Sequence, residues 1–479
     1  MKKYILITVL LLAANITFGQ IPIDSIKAII QREVANKRSK SIIVGIVDAN
    51  GRQIFAAGQL SDTDNRLPDG NTIYEIGSIT KVFTSLSLAD MSLKKQLSLT
   101  DPISKFLPKT VKTPVRNGKE ISLLSLSTHR SGMPRFPYNV DPKNLDDPYA
   151  DYTVNKLYEY VANFEPPSDI DSKWRYSNVG YGVLGTVLTI VSHKNFETLI
   201  TDGICKPLNM NNTVITLTAK QKSNLAVGHA ETGTAVGLTA LGAIEAGGAL
   251  RSNVNDLLTF AEANMGFIKT NLFPAMELTH ILQAKKDGND TYTTMGWTLA
   301  NDNGQNLLFK DGGMPGYSTF IGIDQKNKIG IVVLSNSNNS VSDIGQHILD
   351  VNHKIESYKY PWQLLDTLRT TIQTKGIDPT IALYQELKTS NNASFVFNET
   401  QLNYLGAELR KEGKIQEAIK IFALNAQEYP NAVVVYESLG EIYKRNKNKK
   451  DAIYNFEKAR ELDPQNPHWT YIINKLIKK

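Results

Sequence analysis

The chain has 479 residues, 41% of them hydrophobic and 21% charged, and carries a formal net charge of +6. This composition can bury a large core, and the length exceeds that of one ordinary domain, so two or three folded units are expected. The single cysteine, Cys205, excludes an intramolecular disulfide. The seven histidines show no zinc-type spacing, so we expect neither a metal nor any other cofactor.

The first residues have the pattern of an export signal. Lys2 and Lys3 precede an apolar run from Tyr4 to Ile16, and small or polar residues follow. This pattern predicts a secretory signal peptide over residues 1–20, cleaved near its end. An uncleaved membrane anchor is the alternative, and the run is short for one. No later stretch is long enough to span a bilayer, so we expect a periplasmic or secreted protein without a membrane span in the mature chain.

The next segments predict a helix and a β-hairpin. Apolar residues recur at helical spacing between Ile23 and Arg38, which indicates an amphipathic helix. Two apolar segments follow, from Ile42 to Val47 and from Gln53 to Ala57, on either side of Asn50-Gly51. An Asn-Gly pair favours positive φ angles, so these two segments are predicted to form a hairpin.

A second hairpin is predicted far downstream. Its strands run from Tyr317 to Ile323 and from Ile329 to Leu334, and a helix is expected from Val341 to Lys354. The sequence between the two hairpins is mostly helical in character. Strands at both ends with helices between them predict one antiparallel sheet, closed by the two ends of this region, with a helical insertion. The predicted fold class is therefore α+β.

After about Ser357 the sequence changes character, and from Leu402 it repeats with a period of 34 residues. The repeated pairs are Leu405-Gly406 with Leu439-Gly440, Ala418-Ile419 with Ala452-Ile453, Phe422 with Phe456, and Pro430 with Pro464. The pattern resembles tetratricopeptide repeats, which are pairs of antiparallel helices that stack into a curved surface. Residues 401–479 are predicted to hold two such repeats, and residues 358–400 a linker or a degenerate helical repeat. The repeats either brace the rest of the chain or bind a protein partner.

A basic run occupies residues 444–450, where the repeat pattern predicts a turn between helices. Basic runs of this kind are usually solvated surface, and the modest net charge does not call for a nucleic-acid partner. We therefore expect these side chains to face water and expect no nucleic-acid binding.

The strongest chemical signal lies at residues 74–81, which read Tyr-Glu-Ile-Gly-Ser-Ile-Thr-Lys and precede an apolar helical run. Ser78 is predicted at the start of a buried helix, with Lys81 one turn later on the same face. A serine hydroxyl needs a base to become a nucleophile, and burial can keep a lysine amine neutral for that purpose. The N–H of Ser78 at the helix start can also stabilise an oxyanion. The spacing alone is weak, because it recurs at Ser92 and Lys95, which we expect on the surface.

Two further motifs accompany the serine and the lysine. Residues 174–178 read Trp-Arg-Tyr-Ser-Asn, and their Tyr-x-Asn spacing can place a phenol and an amide beside the nucleophile. Residues 310–313 read Lys-Asp-Gly-Gly and precede a predicted strand, where they would supply an ammonium and a closely approaching backbone. Each motif also occurs elsewhere by chance, for example at residues 286–288, so order and context must decide.

In order and context, the chain closely resembles the serine β-lactamase and penicillin-binding protein superfamily, in particular class C β-lactamases, D-amino-acid peptidases and related esterases. The resemblance covers about Ile23 to Asn352. It includes three more segments, which are residues 126–134 (Leu-Ser-Thr-His-Arg-Ser-Gly-Met-Pro), 247–252 (Gly-Gly-Ala-Leu-Arg-Ser) and 312–318 (Gly-Gly-Met-Pro-Gly-Tyr-Ser). It implies a β-lactamase/transpeptidase-like fold over residues 21–357, with an antiparallel sheet flanked by helices and a helical subdomain. The helical repeats then follow as a separate domain.

The resemblance also implies a role for each motif residue. Ser78 would attack the substrate carbonyl and form an acyl-enzyme, while Lys81 and Tyr176 share the proton transfers. Asn178 would orient Lys81 and the substrate, and Lys310 would favour the phenolate form of Tyr176. The N–H groups of Ser78 and Gly313 would form the oxyanion hole, beside Asp311 and Gly312. His129 lies in a segment that looks architectural, so a packed, hydrogen-bonded histidine is favoured over a catalytic base.

Asp311 departs from the family pattern. Many β-lactamases and carboxypeptidases have a hydroxyl residue after this lysine, where it helps to bind the substrate carboxylate. If the Asp311 side chain faces the cleft, it would repel such a carboxylate, which weakens the case for penicillin or a free D-Ala-D-Ala terminus. The alternative is that Asp311 points away or pairs with Lys310.

These residues predict an exported serine hydrolase that acts on amide or ester bonds of small or peptide substrates, as an esterase, amidase or D-peptidase. One alternative is a penicillin-binding or β-lactam-sensing protein with slow or no turnover, which signals through its repeats. Another is an assembly protein in which the repeats dominate. Specificity is expected to depend on loops around the cleft such as Arg135 to Tyr152, whose shape does not follow from the sequence.

Overall fold

The computed structural model describes residues 23–286, 291–302, 305–390 and 393–478. The signal peptide predicted over residues 1–20 lies outside the described residues. Within those ranges, no helix combines the length and the apolar character that crossing a lipid bilayer requires.

The described α-helices form two groups, those of the sheet-containing unit and those C-terminal to it. The helices of the sheet-containing unit are α1 Ile23–Ala35, α2 Thr80–Leu93, α3 Leu123–Ser127, α4 Val154–Asn163, α5 Asn178–Ser192, α6 Phe196–Ile200, α7 Ala219–Lys222, α8 Val254–Asn264, α9 Phe273–His280 and α10 Ser342–Leu349. The C-terminal helices are α11 Gln363–Lys375, α12 Ile377–Thr389, α13 Glu399–Lys411, α14 Ile415–Glu428, α15 Val433–Arg445, α16 Lys449–Leu462 and α17 Pro467–Lys478.

The described strands form one large antiparallel sheet and three small two-stranded sheets. They are β1 Ser41–Asp48, β2 Gly51–Gly58, β3 Tyr74–Glu75, β4 Val115–Arg116, β5 Lys119–Glu120, β6 Gly228–His229, β7 Ala235–Val236, β8 Arg251–Ser252, β9 Ala284–Lys285, β10 Thr291–Thr293, β11 Thr298–Asp302, β12 Gln305–Met314, β13 Tyr317–Asp324 and β14 Ile329–Ser335. The large sheet has the order β2-β1-β14-β13-β12-β11-β10-β9. The pairing that closes the sheet joins β1, the second strand from one edge, to β14, with Ile42 opposite Ser335. The predicted closure of one antiparallel sheet by two distant hairpins is confirmed.

Alternating side chains of the sheet enter two different cores. On β1, Ile43 and Val47 pack into the large core that also holds helices α2, α5 and α8. Ile42 and Val44 point to the opposite face, where α1 and α10 cover the sheet. All four side chains are buried, and each contributes about 1.5–3 kcal/mol by leaving water. The main sheet is therefore a middle layer between two helical layers.

Three local expectations differ from the structure. The helix predicted up to Lys354 ends at Leu349, because the carboxylate of Asp350 accepts a hydrogen bond from the N–H of Asn352 and favours a turn. The first helix ends at Ala35, shortly before Lys37 takes a left-handed φ of 59°. In the first hairpin Gly51 has the expected positive φ of 116°, whereas Asn50 does not adopt one. The Asp48 side chain accepts a hydrogen bond from the N–H of Asn50 instead, at 2.7 Å.

The C-terminal helices repeat as pairs. Helices α13 and α15 begin at residues 399 and 433, and α14 and α16 at residues 415 and 449, so both spacings are 34 residues. In each pair a glycine lets the helices approach closely. A Cβ on Gly406 would come within 2.5 Å of the Phe422 ring, and one on Gly440 within 2.6 Å of the Phe456 ring. The sequence predicted either a linker or a degenerate helical repeat over residues 358–400. This segment contains the helices α11 and α12.

Helices α15 and α17 contact the loop that runs from Arg135 to Tyr152. Lys444 on α15 and Lys475 on α17 both form ion pairs with Asp141 in this loop, at 3.0 and 2.7 Å. The expectation that the basic run is solvated is therefore wrong for Lys444, which is largely buried between Asp141 and Glu441. Nothing in the local sequence indicates this contact, because its partner lies about three hundred residues away.

Further contacts continue this attachment. Arg410 on α13 pairs with Asp146 at 2.6 Å, and His468 donates a hydrogen bond from Nδ1 to the Tyr138 carbonyl at 2.8 Å. A second segment, around β6 and β7, is also held, because Tyr404 donates a hydrogen bond to the carboxylate of Glu231 at 2.7 Å. The C-terminal helices thus bind two segments of the sheet-containing unit, and one of these segments is the Arg135–Tyr152 loop.

The attachment at Asp141 gives a testable stability effect. Burial alone would raise the pKa of Asp141, but Lys475 and Lys444 outweigh it and lower the pKa to about 2. At about 1.4 kcal/mol per pKa unit, Asp141→Asn should reduce the free energy of unfolding by about 2 kcal/mol at neutral pH. This stabilisation is complete above the unfolded pKa of about 3.9 and disappears as pH falls through 2, so variant and wild type should converge in acid.

Urea denaturation followed by tryptophan fluorescence would measure the effect, since Trp469 is buried in this region. Asp378→Asn is the matched control, because Asp378 is 76% exposed in its ion pair with Lys420. An exposed pair contributes less than about 1 kcal/mol. Equal losses in the two variants, or no loss in Asp141→Asn, would contradict the assignment.

Candidate active site

Ser78 lies in a short 3₁₀ turn, Gly77–Ile79, immediately before helix α2. The turn packs against the backbone of β12. Gly77 has a φ of 51°, and a Cβ at this position would come within 2.7 Å of the Gly313 nitrogen. Gly312 packs equally closely on the carbonyl of Ile76. Glycine is required at both positions because two backbones meet there without intervening side chains.

The first two sequence motifs meet at the hydroxyl of Ser78. Tyr176 Oη lies 2.5 Å from Ser78 Oγ, and Lys81 Nζ donates a hydrogen bond to the same oxygen at 3.0 Å. Lys81 Nζ also lies 4.8 Å from the centre of the Tyr176 ring. The expected position of Lys81, one helical turn after Ser78 and on the same face, agrees with this geometry.

The Lys81 ammonium is fully buried and has two further partners. It donates hydrogen bonds to Asn178 Oδ1 at 2.7 Å and to the carbonyl of Gly247 at 2.5 Å. Sequence reasoning identified Asn178 but missed Gly247 as a contact. Residues 247–252 were noted only as part of a resemblance, and a backbone acceptor leaves no signature in a side-chain pattern.

The segment that carries Tyr176 is held at the N-terminus of α5. Ser177 is the N-cap, and its hydroxyl accepts a hydrogen bond from the Gly180 N–H at 2.7 Å. The Ser177 N–H donates to Nδ1 of His129 at 3.1 Å, and the ring of His129 lies 4.5 Å from that of Tyr176. His129 is buried, and burial together with Lys310 and Lys81 holds its pKa well below the usual range. It is a neutral packing residue, as the sequence favoured.

Lys310 precedes the predicted strand β13, as expected, but it also lies within a strand of its own, β12, where it pairs with Ile321 of β13. Its ammonium is 5.1 Å from the centre of the Tyr176 ring. The strand therefore presents a second buried lysine to the phenol, on the face that Asp311 does not occupy, since successive side chains of a strand alternate.

Two lysines alter the acidity of Tyr176. Burial alone would raise the pKa of the phenol, but the charges of Lys81 and Lys310 outweigh it and bring the pKa to about 8. Burial lowers the pKa of Lys81 to about 8 as well, with Lys310 acting in the same direction and Tyr176 opposing it. The two groups therefore titrate as a coupled pair close to neutral pH. Such a pair can both accept and return a proton.

Asp311 faces the cleft that contains Ser78, and its side chain is exposed there. The walls of the cleft partly desolvate its carboxyl, which would raise the pKa. The charges of Lys310, Lys286 and Lys81 outweigh this effect and lower the pKa, so the group is ionised. Among the described side chains, Lys310 acts on Asp311 through its charge but forms no ion pair with it. The alternatives in which Asp311 points away or pairs with Lys310 are therefore wrong.

A third lysine near the site was missed. Lys286 belongs to the Lys-Asp-Gly motif at residues 286–288, which the sequence analysis attributed to chance. Its neighbours Asp287 and Gly288 lie outside the described residues. Its ammonium donates a hydrogen bond to Thr298 Oγ1 at 2.6 Å and lies 5.1 Å from the Trp174 ring. Burial, followed by Lys310, lowers its pKa to about 8. Lys286 directly follows β9, and the pairing of the consecutive strands β9 to β12 brings it towards Lys310 and Asp311.

The cleft over Ser78 has a volume of about 630 Å³, which is in the usual range for a small-molecule site. Its walls include Tyr176, Asn178, Gly247 and the exposed backbone of Gly313, with Arg135, Phe136, Pro148 and Tyr149 from the loop that the C-terminal helices hold. Every residue that the sequence proposed for the site thus lies at or beside one cleft. A nucleophile, a coupled proton acceptor and close-lying backbone groups are the components that acyl transfer requires.

Comparison with known proteins identifies the family of the chain. The sequence matches the family described as Beta-lactamase over residues 26–352. The D-alanyl-D-alanine-carboxypeptidase/endopeptidase AmpH of Escherichia coli K12 is 25% identical over 361 residues, which are 70% of this chain and 92% of that protein. The beta-lactamase of Lysobacter lactamgenus is 25% identical over 342 residues, 64% of this chain and 86% of that protein.

Solved structures show the same fold. A class C beta-lactamase from Rhodobacter sphaeroides is 20% identical with a TM-score of 0.58, and the alignment covers 66% of this chain and 94% of that chain. The octameric penicillin-binding protein homologue from Pyrococcus abyssi is 22% identical with a TM-score of 0.62, covering 74% and 82%.

The charge of Lys310 gives a testable pH effect. Lys310 lowers the pKa of both Tyr176 and Lys81. Lys310→Met should therefore raise the apparent pKa of the pair by roughly one to two units, the size expected for a charge about 5 Å away in a partly buried site. The rate at which a fluorophosphonate labels Ser78 should rise through about pH 8 in the wild type and through a higher pH in the variant.

Lys112→Met removes an exposed lysine outside the cleft and serves as the control. An unshifted profile in Lys310→Met, or an equal shift in the control, would show that Lys310 does not set the acidity of the pair.

Proposed function

The chain belongs to the beta-lactamase family, and from that premise we propose that it is an exported serine hydrolase that cleaves amide or ester bonds through an acyl-enzyme on Ser78. The observation that supports this most directly is the position of Tyr176 Oη, 2.5 Å from Ser78 Oγ and beside the buried Lys81. A hydroxyl in this environment has a proton acceptor within hydrogen-bond distance.

In the proposed acylation, Ser78 Oγ forms a bond to the substrate carbonyl carbon while its proton passes to Tyr176, with Lys81 sharing the charge. The N–H groups of Ser78 and Gly313 stabilise the oxyanion. When the tetrahedral intermediate collapses, the bond to the leaving group breaks and the same proton is returned to that group. Water then attacks the ester of Ser78 by the reverse proton transfers, which releases the acid and regenerates the hydroxyl.

The remaining site residues support this cycle. Asn178 holds the Lys81 ammonium in place and lines the cleft, where its amide can contact the substrate. Lys310 favours the phenolate by its charge. Gly312 keeps β12 against the turn of Ser78, which fixes Gly313 beside the nucleophile.

The substrate class follows from Asp311. An ionised carboxylate on the cleft wall repels a second carboxylate, at a cost of about 1–4 kcal/mol for charges 4 Å apart, depending on their exposure to water. We propose that the substrates are esters, amides or D-peptides without a free carboxylate at this position. The relatives named for carboxypeptidase and beta-lactamase activity share the family, and this chain is proposed to differ in substrate.

For the domain organisation, we propose a hydrolase domain over residues 21–357 that follows a cleaved signal peptide. Residues 401–479 form a tetratricopeptide-type repeat domain, with 358–400 as its degenerate first element. The 34-residue spacing of the helix pairs and the glycine–phenylalanine contact in each pair support this assignment.

The mechanism is tested by labelling the nucleophile. The mature protein is incubated with a fluorophosphonate and, separately, with a penicillin, and its mass is followed over time before p-nitrophenyl esters and D-peptides are offered. We expect one fluorophosphonate adduct per chain, on Ser78, and ester or D-peptide turnover. Ser78→Ala should lose both. An adduct undiminished in Ser78→Ala would rule the mechanism out, and a penicillin adduct that persists without turnover would favour the penicillin-binding or sensing alternative.

Asp311→Thr tests the assigned substrate class. Replacing the carboxylate by a hydroxyl removes the repulsion, so acylation by penicillin should become at least about tenfold faster, corresponding to about 1.4 kcal/mol. Turnover of a neutral p-nitrophenyl ester should change much less.

Mass spectrometry of the acylated protein measures the first rate, and release of p-nitrophenol the second. Asp311→Asn, which also removes the charge but supplies no hydroxyl, separates repulsion from hydrogen bonding. Penicillin acylation that is already fast in the wild type, or unchanged in both variants, would contradict the role of Asp311.

A further inference from the structure

A second cavity, of about 1450 Å³, lies between the Arg135–Tyr152 loop and the helices α15 and α17. It adjoins the cleft over Ser78, because four residues line both spaces: Arg135, Phe136, Pro148 and Tyr149. Phe136 stacks on Tyr149 with ring centres 5.1 Å apart, so the shared wall is aromatic. The combined space exceeds what a small acyl group needs and can hold an extended substrate.

The far wall of this cavity carries two carboxylates on one face of α15, one turn apart. Glu437 is partly buried and has no hydrogen bond or ion pair among the described residues. Glu441 is 8% exposed, and its Oε1 forms an ion pair with Lys444. Its Oε2 accepts no hydrogen bond among the described residues, and Arg445 Nε lies 3.9 Å from it. Buried carboxylates are ordinarily paired, so this wall differs from the rest of the interface.

The repeat pattern does not account for these two acids. The positions 34 residues earlier in the first repeat are Asn403 and Ala407, so neither acid belongs to the repeated helix-packing pattern. Acids nearby that do brace the interface have partners, namely Asp141 with two lysines and Asp146 with Arg410. Glu437 lies in the cavity without such a role, and its charge influences Tyr149 at the junction of the two spaces.

We propose that this cavity is a binding subsite for a cationic amine on the substrate, with Glu437 as the anionic contact and Glu441 as its neighbour. The inference rests on the proposed hydrolase function and narrows its substrate class to peptides, amides or esters that carry an aliphatic ammonium away from the scissile bond. The C-terminal repeat helices then contribute directly to substrate recognition. Two adjacent carboxylates and an aromatic wall suit an alkylammonium group, whose chain packs on the rings while its charge meets the acids.

The raised pKa of Glu437 is consistent with this role. Burial, and then the charge of Glu441, raise it above its usual value. An ammonium placed between the two carboxylates would favour their ionised forms and gain from both.

The test uses matched substrates that differ only in charge. p-Nitrophenyl esters of ω-aminoalkanoic acids of increasing chain length are compared with their methyl-terminated isosteres, and a second series places the amine in the leaving group. For the best-fitting length in one series, kcat/KM should favour the amine at least about tenfold, as expected for a charge-assisted hydrogen bond. Glu437→Gln should remove this preference and leave kcat/KM for the neutral ester within about twofold. Glu437→Asp should retain part of it.

Glu386→Gln is the matched control, since Glu386 is an exposed acid on α12 that lines neither space. Absence of a preference in both series, or an equal loss for charged and neutral esters in Glu437→Gln, overturns the subsite. The full-length Ser78→Ala protein provides a readout independent of turnover. Calorimetric binding of the corresponding ω-amino amide should be weakened by Glu437→Gln, and no binding, or unchanged binding, also overturns the proposal. Failure of the hydrolase function would instead appear as absence of a fluorophosphonate adduct on Ser78.

Discussion

The structure depends on one buried ammonium group. Lys81 Nζ has no contact with water and is held by Ser78, Asn178 and the carbonyl of Gly247. A charged or neutral amine in this position must be satisfied by hydrogen bonds, because an unpaired buried polar group is costly. Three separate segments of the chain are therefore drawn to one point, and their convergence forms the cleft. The same burial that demands these contacts lowers the pKa of the lysine, so packing and proton transfer have one origin.

Much of the fold and the site could be predicted because the signals are local. The hairpins at residues 42–57 and 317–334 show their turns and apolar segments, and Ser78, Tyr176 and Lys310 lie in short motifs of fixed spacing. The structure adds what depends on how strands and helices pack together. Lys286 reaches the site only through the strand order of the sheet, and Lys444 finds Asp141 only through the docking of α15 on a loop. The orientation of Asp311 likewise follows from the alternation of β12, whose bounds the sequence did not give.

The C-terminal helices contact a loop that lines the cleft over Ser78. They hold the Arg135–Tyr152 loop through Asp141, Asp146 and the Tyr138 carbonyl. That loop supplies Arg135, Phe136 and Tyr149 to the wall above Ser78. Of the two roles that the sequence left open for the repeats, bracing is the one that these contacts support, and binding of a protein partner stays a prediction. A helical unit that fixes a loop by several ion pairs reduces the number of shapes that the loop can adopt.

The pairing of β1 with β14 has a consequence for how the protein is made. The main sheet joins residues 42–47 to residues 330–335, so β1 has only its hairpin neighbour β2 to pair with until almost all of the sheet-containing unit has been synthesised. Pairings of such long range form late and slowly. During translation the hairpin of β1 and β2 is too small to be stable by itself. The nascent chain thus stays open for a long time, which makes protection by chaperones important until β14 has been synthesised.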